Sequence, residues 1–216
     1  MKVIPNTSST MLTIWTLLLL TGLISLGLAR WSLAFVSFAT LTLALVPPML
    51  AARWSLTLPL PFLLFTTLFC FASIFLGEAF DFYERLWWWD LALHGSSAVG
   101  FGLMGFLFAF MLFEGDRFAA PPSAIALISF CIAMTVGATW EIFEFTMDAG
   151  LGMNMQKSGL SDTMGDLILN AFGGLIASVT GYLYLRESSA GLLGRGLSQF
   201  IKVNGRLYRK YKNRLK

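Results

Sequence analysis

The sequence predicts an all-α fold: a polytopic transmembrane bundle of about six spans, followed by a basic amphipathic C-terminal helix on the cytoplasmic surface. Three observations lead there. Of 216 residues, 56% are hydrophobic and only 12% charged, about half the charge fraction of a soluble domain. Six apolar segments each approach the 20 or so residues that cross a bilayer. Nine of the fifteen Lys and Arg residues lie from Arg186 onward, beside one acid, Glu187.

The expected spans are residues 11–29, 32–50, 58–77, 91–113, 122–145 and 163–185. The first is expected to be retained rather than cleaved as a signal peptide, because its apolar run is long and no small-residue cleavage site follows. Pro47, Pro48, Pro59 and Pro61 mark the second turn and the start of the third span, and Pro121 and Pro122 do the same for the fifth. At a helix start the missing backbone donor costs least. Two parts follow: a six-helix transmembrane domain over 1–186 and a basic cytoplasmic tail over 187–216. Cys70 and Cys131 sit in apolar runs and read as buried small hydrophobes.

Orientation is read from Lys and Arg in the loops. With the tail cytoplasmic, an even number of spans puts the N-terminus there as well. That side then collects Lys2, Arg53, Arg117 and the nine tail residues, against Arg30, Arg85 and Lys157 on the other. Nine of the twelve acids then fall on the outer side: Glu78, Asp81, Glu84, Asp90, Glu141, Glu144, Asp148, Asp162 and Asp166. Glu78 and Glu84 read as interfacial.

Five of the others cluster by helical spacing. Asp90 and the only histidine, His94, are four apart and share a helix face. Glu141 and Glu144 are three apart in "TWEIFEF", and Asp162, Asp166 and Asn170 form a stripe opening the last span. Ionisable groups inside a span cost several kcal/mol unless paired, hydrated or metal-bound. The neutralisers are a divalent cation, protons on the carboxyls, or Arg85 and Lys157.

Carboxylates with one imidazole suit Mg, Mn, Fe or Zn. The expected metal ligands are Asp90, His94, Asp162, Asp166 and Asn170, with Glu141 or Glu144 as catalytic general base. Alternatively Asp90 orients His94 from behind. The Asp-x-x-x-His spacing and the single histidine depart from the Glu-x-x-His pairs of di-iron bundles.

Plainer readings apply too. Acids at helix N-termini complement the dipole, and Asp162 fits an N-cap. Glu141 and Glu144 escape that account, because they are expected near a helix C-terminus, where the dipole opposes them. Trp87, Trp88 and Trp89 read as anchors at the membrane boundary. Ser96 with Gly100, and Gly173, Ala177 and Gly181, follow the small-xxx-small spacing of close helix packing.

In the tail, Leu193, Leu197, Phe200, Ile201, Leu207, Tyr208 and Tyr211 line one side of a helix, with Lys202, Arg206, Arg209 and Lys210 largely elsewhere. The expected partners are membrane lipids, with anionic headgroups at the tail, and a membrane protein or a second copy of the chain. No nucleic acid is expected, since no recognition module accompanies the charge.

The segments "YERLWWWDLALHGSSAVGFG", "WEIFEF" and "SDTMGDLILNAFGG" together resemble the bacterial inner-membrane family typified by YjdF, and more weakly the VanZ-like proteins. The resemblance covers about residues 78–181. It implies a bacterial inner-membrane location and one shared polar site at Asp90, His94, Glu141, Glu144, Asp162, Asp166 and Asn170, with no reaction attached. The expected function is a metal-binding site at the outer interface acting on an envelope lipid or small amphiphile. The alternatives are an accessory subunit or assembly factor of a larger membrane complex and a proton- or cation-coupled transporter.

Overall fold

The computed structural model describes residues 7–113, 120–187 and 191–205. Lys2, Arg117 and residues 206–216, which carried part of the orientation and tail expectations, lie outside them. Among the described residues every regular element is a helix, and six helices are long and apolar enough to cross a membrane.

The first unit takes in residues up to Trp87, together with Lys202–Asn204. Ser8 opens α1 (Ser9–Gly27) by accepting the Met11 backbone N–H on its hydroxyl, one of the orphan donors of a helix start. The helix ends on Ala29 in the left-handed region, where Arg30 N–H reaches back to Ser25 O at 2.8 Å. Helix α2 (Trp31–Arg53) ends the same way, with Ser55 left-handed and Leu56 N–H bonded to Ala51 O. Two tight antiparallel turns result.

Helix α3 (Leu60–Cys70) widens into a π-helical stretch at Phe71–Leu76 before the short α4 (Gly77–Ala79) and α5 (Phe82–Arg85). In this unit Arg85 pairs with Asp81 at 3.7 Å, both well exposed. At the start of α3, the Asn204 side chain donates to Thr57 O and accepts from Thr57 N–H.

The second unit runs from Trp88 through Ile201 and holds α6 (Trp89–Phe113), α7 (Pro122–Leu151), α8 (Leu160–Glu187) and most of α9 (Gly191–Val203). Each long helix buries one seam at nearly four-residue spacing. On α6 it is His94, Ala98, Gly102, Phe106 and Ala109. On α7 it is Ser129, Ala133, Gly137, Glu141 and Glu144. On α8 it is Asp166, Asn170, Gly173, Ala177 and Gly181. Three small-residue seams let the backbones meet.

The glycines show how close that approach is. A Cβ on Gly173 would strike the Gly95 carbonyl, and one on Gly102 would lie 2.5 Å from the Ala177 Cβ. Lower in the unit, Phe106, Ile125 and Leu197 of α9 close an apolar core with Tyr184 and Leu185. The tail helix thus spends Leu197 and Gly194 on protein.

Four expectations are corrected. Pro47 and Pro48 lie inside α2 rather than at a turn, and Cys131 is exposed rather than buried. Ser96 and Gly100 do not carry the α6 seam, because at about 100° per residue Ser96 points away from the face that buries His94. Helix α7 runs to Leu151 rather than stopping near 145, and left-handed Gly152 terminates it. Glu141 and Glu144 therefore lie two to three turns inside a 30-residue helix, beyond the reach of the terminal dipole.

Adding a methyl at Gly102 or Gly173 is expected to cost about 1–3 kcal/mol through overpacking. Gly27→Ala, with nothing within 4 Å of the new Cβ, is expected to be neutral or to gain up to about 1 kcal/mol. Thermal unfolding of the detergent-solubilised variants measures both.

Candidate functional site

At one end of the second unit the three seams turn polar. His94 is 6% exposed, Glu141 4%, Glu144 6%, Asp166 1% and Asn170 0%. Asp90 is only partly covered, with 25% of its side chain accessible. These groups sit on the same stripes that carry Ala and Gly deeper in the helices. The packing that joins the backbones therefore also brings the acids together.

The imidazole lies at the centre. Its Nε2 is 3.6 Å from Asp90 Oδ1 and 3.9 Å from Asp166 Oδ2, and its Nδ1 is 3.7 Å from Glu141 Oε1. Two sets of ligand atoms share it: Asp90, His94 and Asp166, and His94, Glu141 and Glu144, each with all its atoms within 4.8 Å of one another.

Several of these atoms have no hydrogen-bond partner within 3.5 Å: both Glu141 oxygens, Asp166 Oδ1, and both polar atoms of Asn170. Asn170 stands beside the imidazole and against Gly137, where a Cβ would collide with its amide. Glu144 differs in accepting the Trp140 indole N–H at 2.9 Å. A buried polar atom without a partner costs about 1–3 kcal/mol, more when charged. Native proteins rarely hold several together.

The structure brings Asp90, His94, Glu141, Glu144, Asp166 and Asn170 into one cluster and leaves Asp162 at its edge. Asp162 lies in the first turn of α8, where its carboxylate accepts the Lys157 backbone N–H at 3.2 Å. The N-cap position falls on Gly159, since Leu160 opens the helix. The Lys157 charge acts on Asp90 and Asp162, the outer members.

Two residues of the site went unread in the sequence, and a third, Asp148, was read only as an acid of the outer side. Gln156 and Thr163, hydrogen-bonded to each other at 2.6 Å, stand beside Glu141. The available signal was the i, i+3, i+7 set Thr163, Asp166 and Asn170: Thr163 lies within about 20° of Asn170 around the helix, whereas Asp162 is about 80° away. Asp148 clamps the α7–α8 loop, accepting the Met155 and Gln156 backbone N–H groups at 2.7 and 2.8 Å.

Because Gly137 makes room for Asn170, Gly137→Ala is expected to destabilise the protein by about 1–3 kcal/mol. Adding Asn170→Ala should restore most of that loss, since it removes both the clash and an unsatisfied amide. A double-mutant cycle on melting temperature measures the coupling.

Comparison with known proteins reaches the family but no reaction. An uncharacterized protein from Thermotoga maritima is 34% identical over 112 residues, 50% of this chain and 57% of that relative. The chain thus spans little more than half that relative's length. No solved structure matches. Residues 10–187, most of the chain, match the family described as predicted membrane protein (DUF2238), and the chain belongs to that family.

Proposed function

We propose that this membrane protein binds a divalent cation between α6, α7 and α8 and presents it to an amphiphile of the outer leaflet, such as an envelope lipid. The observation that carries this reading is the set of unpartnered, nearly inaccessible carboxylate oxygens on Glu141 and Asp166 around one imidazole. A scaffold has no need of such groups. Paired with a cation they become ligands; without one they cost stability.

On this reading His94, Asp90 and Asp166 hold the ion. Glu141 and Glu144, on the other ring nitrogen, offer oxygens for ligation or proton transfer. Partly exposed Asp90 marks the entrance, beside Trp88 at 44% exposure. A bound cation polarises an ester or phosphate oxygen and lowers the pKa of its water.

Orientation with the site on the outer face and both termini cytoplasmic, in a bacterial inner membrane, follows from the tail charge, and basic residues near an anionic leaflet contribute about 1 kcal/mol each. The spacing of the polar groups also supports placing the chain among YjdF-type members of its family. The transporter reading is weaker, because the ionisable groups described within α6–α8 gather at one end until Arg186.

Elemental analysis of purified protein tests the reading directly. Stoichiometric metal in the wild type, lost in His94→Ala and Asp166→Ala, is the expected result; metal-free wild type, after purification without chelators, rejects it. A second measurement separates ligands from structural contacts. In metal-free protein, Glu141→Gln and Asp166→Asn remove buried charge and are expected to raise the melting temperature while abolishing or weakening metal binding. If both variants instead lower the melting temperature as structural contacts would, the carboxylates belong to the scaffold.

A further inference from the structure

We infer that the site holds two divalent cations, one on each ring nitrogen of His94, with the imidazole as the bridge between them. This rests on the reading that the site binds a divalent cation and adds its nuclearity and ligand sets. The first cation lies among His94 Nε2, Asp90 and Asp166. The second lies among His94 Nδ1, Glu141 and Glu144. Each has one nitrogen and two carboxylates and leaves coordination positions open to water or a substrate oxygen.

The N···O separations carry the argument. At 3.6, 3.7 and 3.9 Å, all three exceed hydrogen-bond length, on both sides of the ring. Two donors on one ion with bonds of about 2.1 Å lie about 3.4 Å apart at the tetrahedral angle, and further apart as the angle opens. The spacing suits an intervening cation on the Nδ1 side as well as on the Nε2 side. Had Glu141 served only to orient His94, its oxygen would sit within about 3.2 Å of Nδ1.

Partner counts point the same way. Within 3.5 Å neither oxygen of Glu141 has a hydrogen bond, although the Thr163 and Gln156 side chains stand beside it, and Asp166 Oδ1 has none, so each side of the ring carries a buried carboxylate oxygen that no close donor satisfies. Glu144 commits one oxygen to Trp140 and keeps the other for the ion.

Charge supplies an independent constraint. The two ligand sets contain four carboxylates. With the carboxyls ionised, two divalent cations offset four of the five negative charges that the carboxylates and the deprotonated bridging ring then carry, whereas one cation leaves two carboxylate charges uncompensated. Both ring nitrogens must act as donors, so the ring N–H proton leaves to water when the second ion binds. Borderline ions such as Zn²⁺ and Co²⁺ favour this ligation over Mg²⁺ or Ca²⁺.

The experiment uses the full chain in detergent, stripped and reloaded with Zn²⁺, with metal counted per chain by mass spectrometry. The expected result is two in the wild type, one in Glu144→Gln, one in Asp166→Asn and none in His94→Ala. One Zn²⁺ in the wild type, absent from Asp166→Asn and retained in Glu144→Gln, overturns the second site while leaving the proposed function intact. No Zn²⁺ in the wild type overturns both.

A titration of wild-type protein with Co²⁺ guards against variants that fail to fold. The paramagnetic signal of the first equivalent is expected to lose intensity as the second binds, through coupling across the bridging ring. Saturation at one equivalent, or a second equivalent that leaves the first signal unchanged, rejects the bridge.

Discussion

The close approach of α6, α7 and α8 through seams of glycine and alanine is the constraint on which the rest of the second unit depends. Lipid offers no hydrophobic reward for joining apolar helices, so contact and dispersion must hold them. That requires removing side-chain volume where backbones meet, as Gly173 does against Gly95 and Gly102 against Ala177. Serine reinforces the contact: Ser129 donates to Gly102 O at 2.7 Å, and Ser178 to Ala126 O at 2.8 Å. The seams are continuous, so the alignment that packs Ala98, Ala133 and Ala177 also sets the level at which His94, Glu141 and Asp166 meet.

That alignment divides the acids of the second unit into two physical kinds. Asp148 and Asp162 accept backbone N–H groups of the α7–α8 loop; they organise the connection and are satisfied by it. Glu141 and Asp166 lie deeper and keep oxygens with no donor within 3.5 Å. The first kind explains itself as structure. The second opposes folding wherever nothing pairs it, in the way binding sites generally trade stability for chemistry. Gln156 and Thr163 connect the two kinds, since the loop that Asp148 shapes carries Gln156 to the neighbourhood of Glu141.

The amino-acid sequence by itself determined the helical class, the six spans and the polar pairs within each helix. Length and hydropathy need no partner to be read, and residues three or four apart share a face on any helix. It also displayed the acids and the histidine as a set, because groups that costly inside a span are conspicuous wherever they occur.

Tertiary structure alone decided which side of each helix faces its neighbours. Ser96 and Gly100 have a valid packing spacing, yet burying His94 turns them away. Asp162 has a valid spacing with Asp166, yet Thr163 is nearer the face that meets Glu141. The extension of α7 to Leu151 depended on a left-handed glycine and a clamped loop. The division of carboxylates between the two nitrogens of His94 depended on how three helices are rotated about their axes. A helical pattern records angles within one helix; the rotation of one helix against another is set by contacts between residues distant in the chain, which only the folded structure brings together.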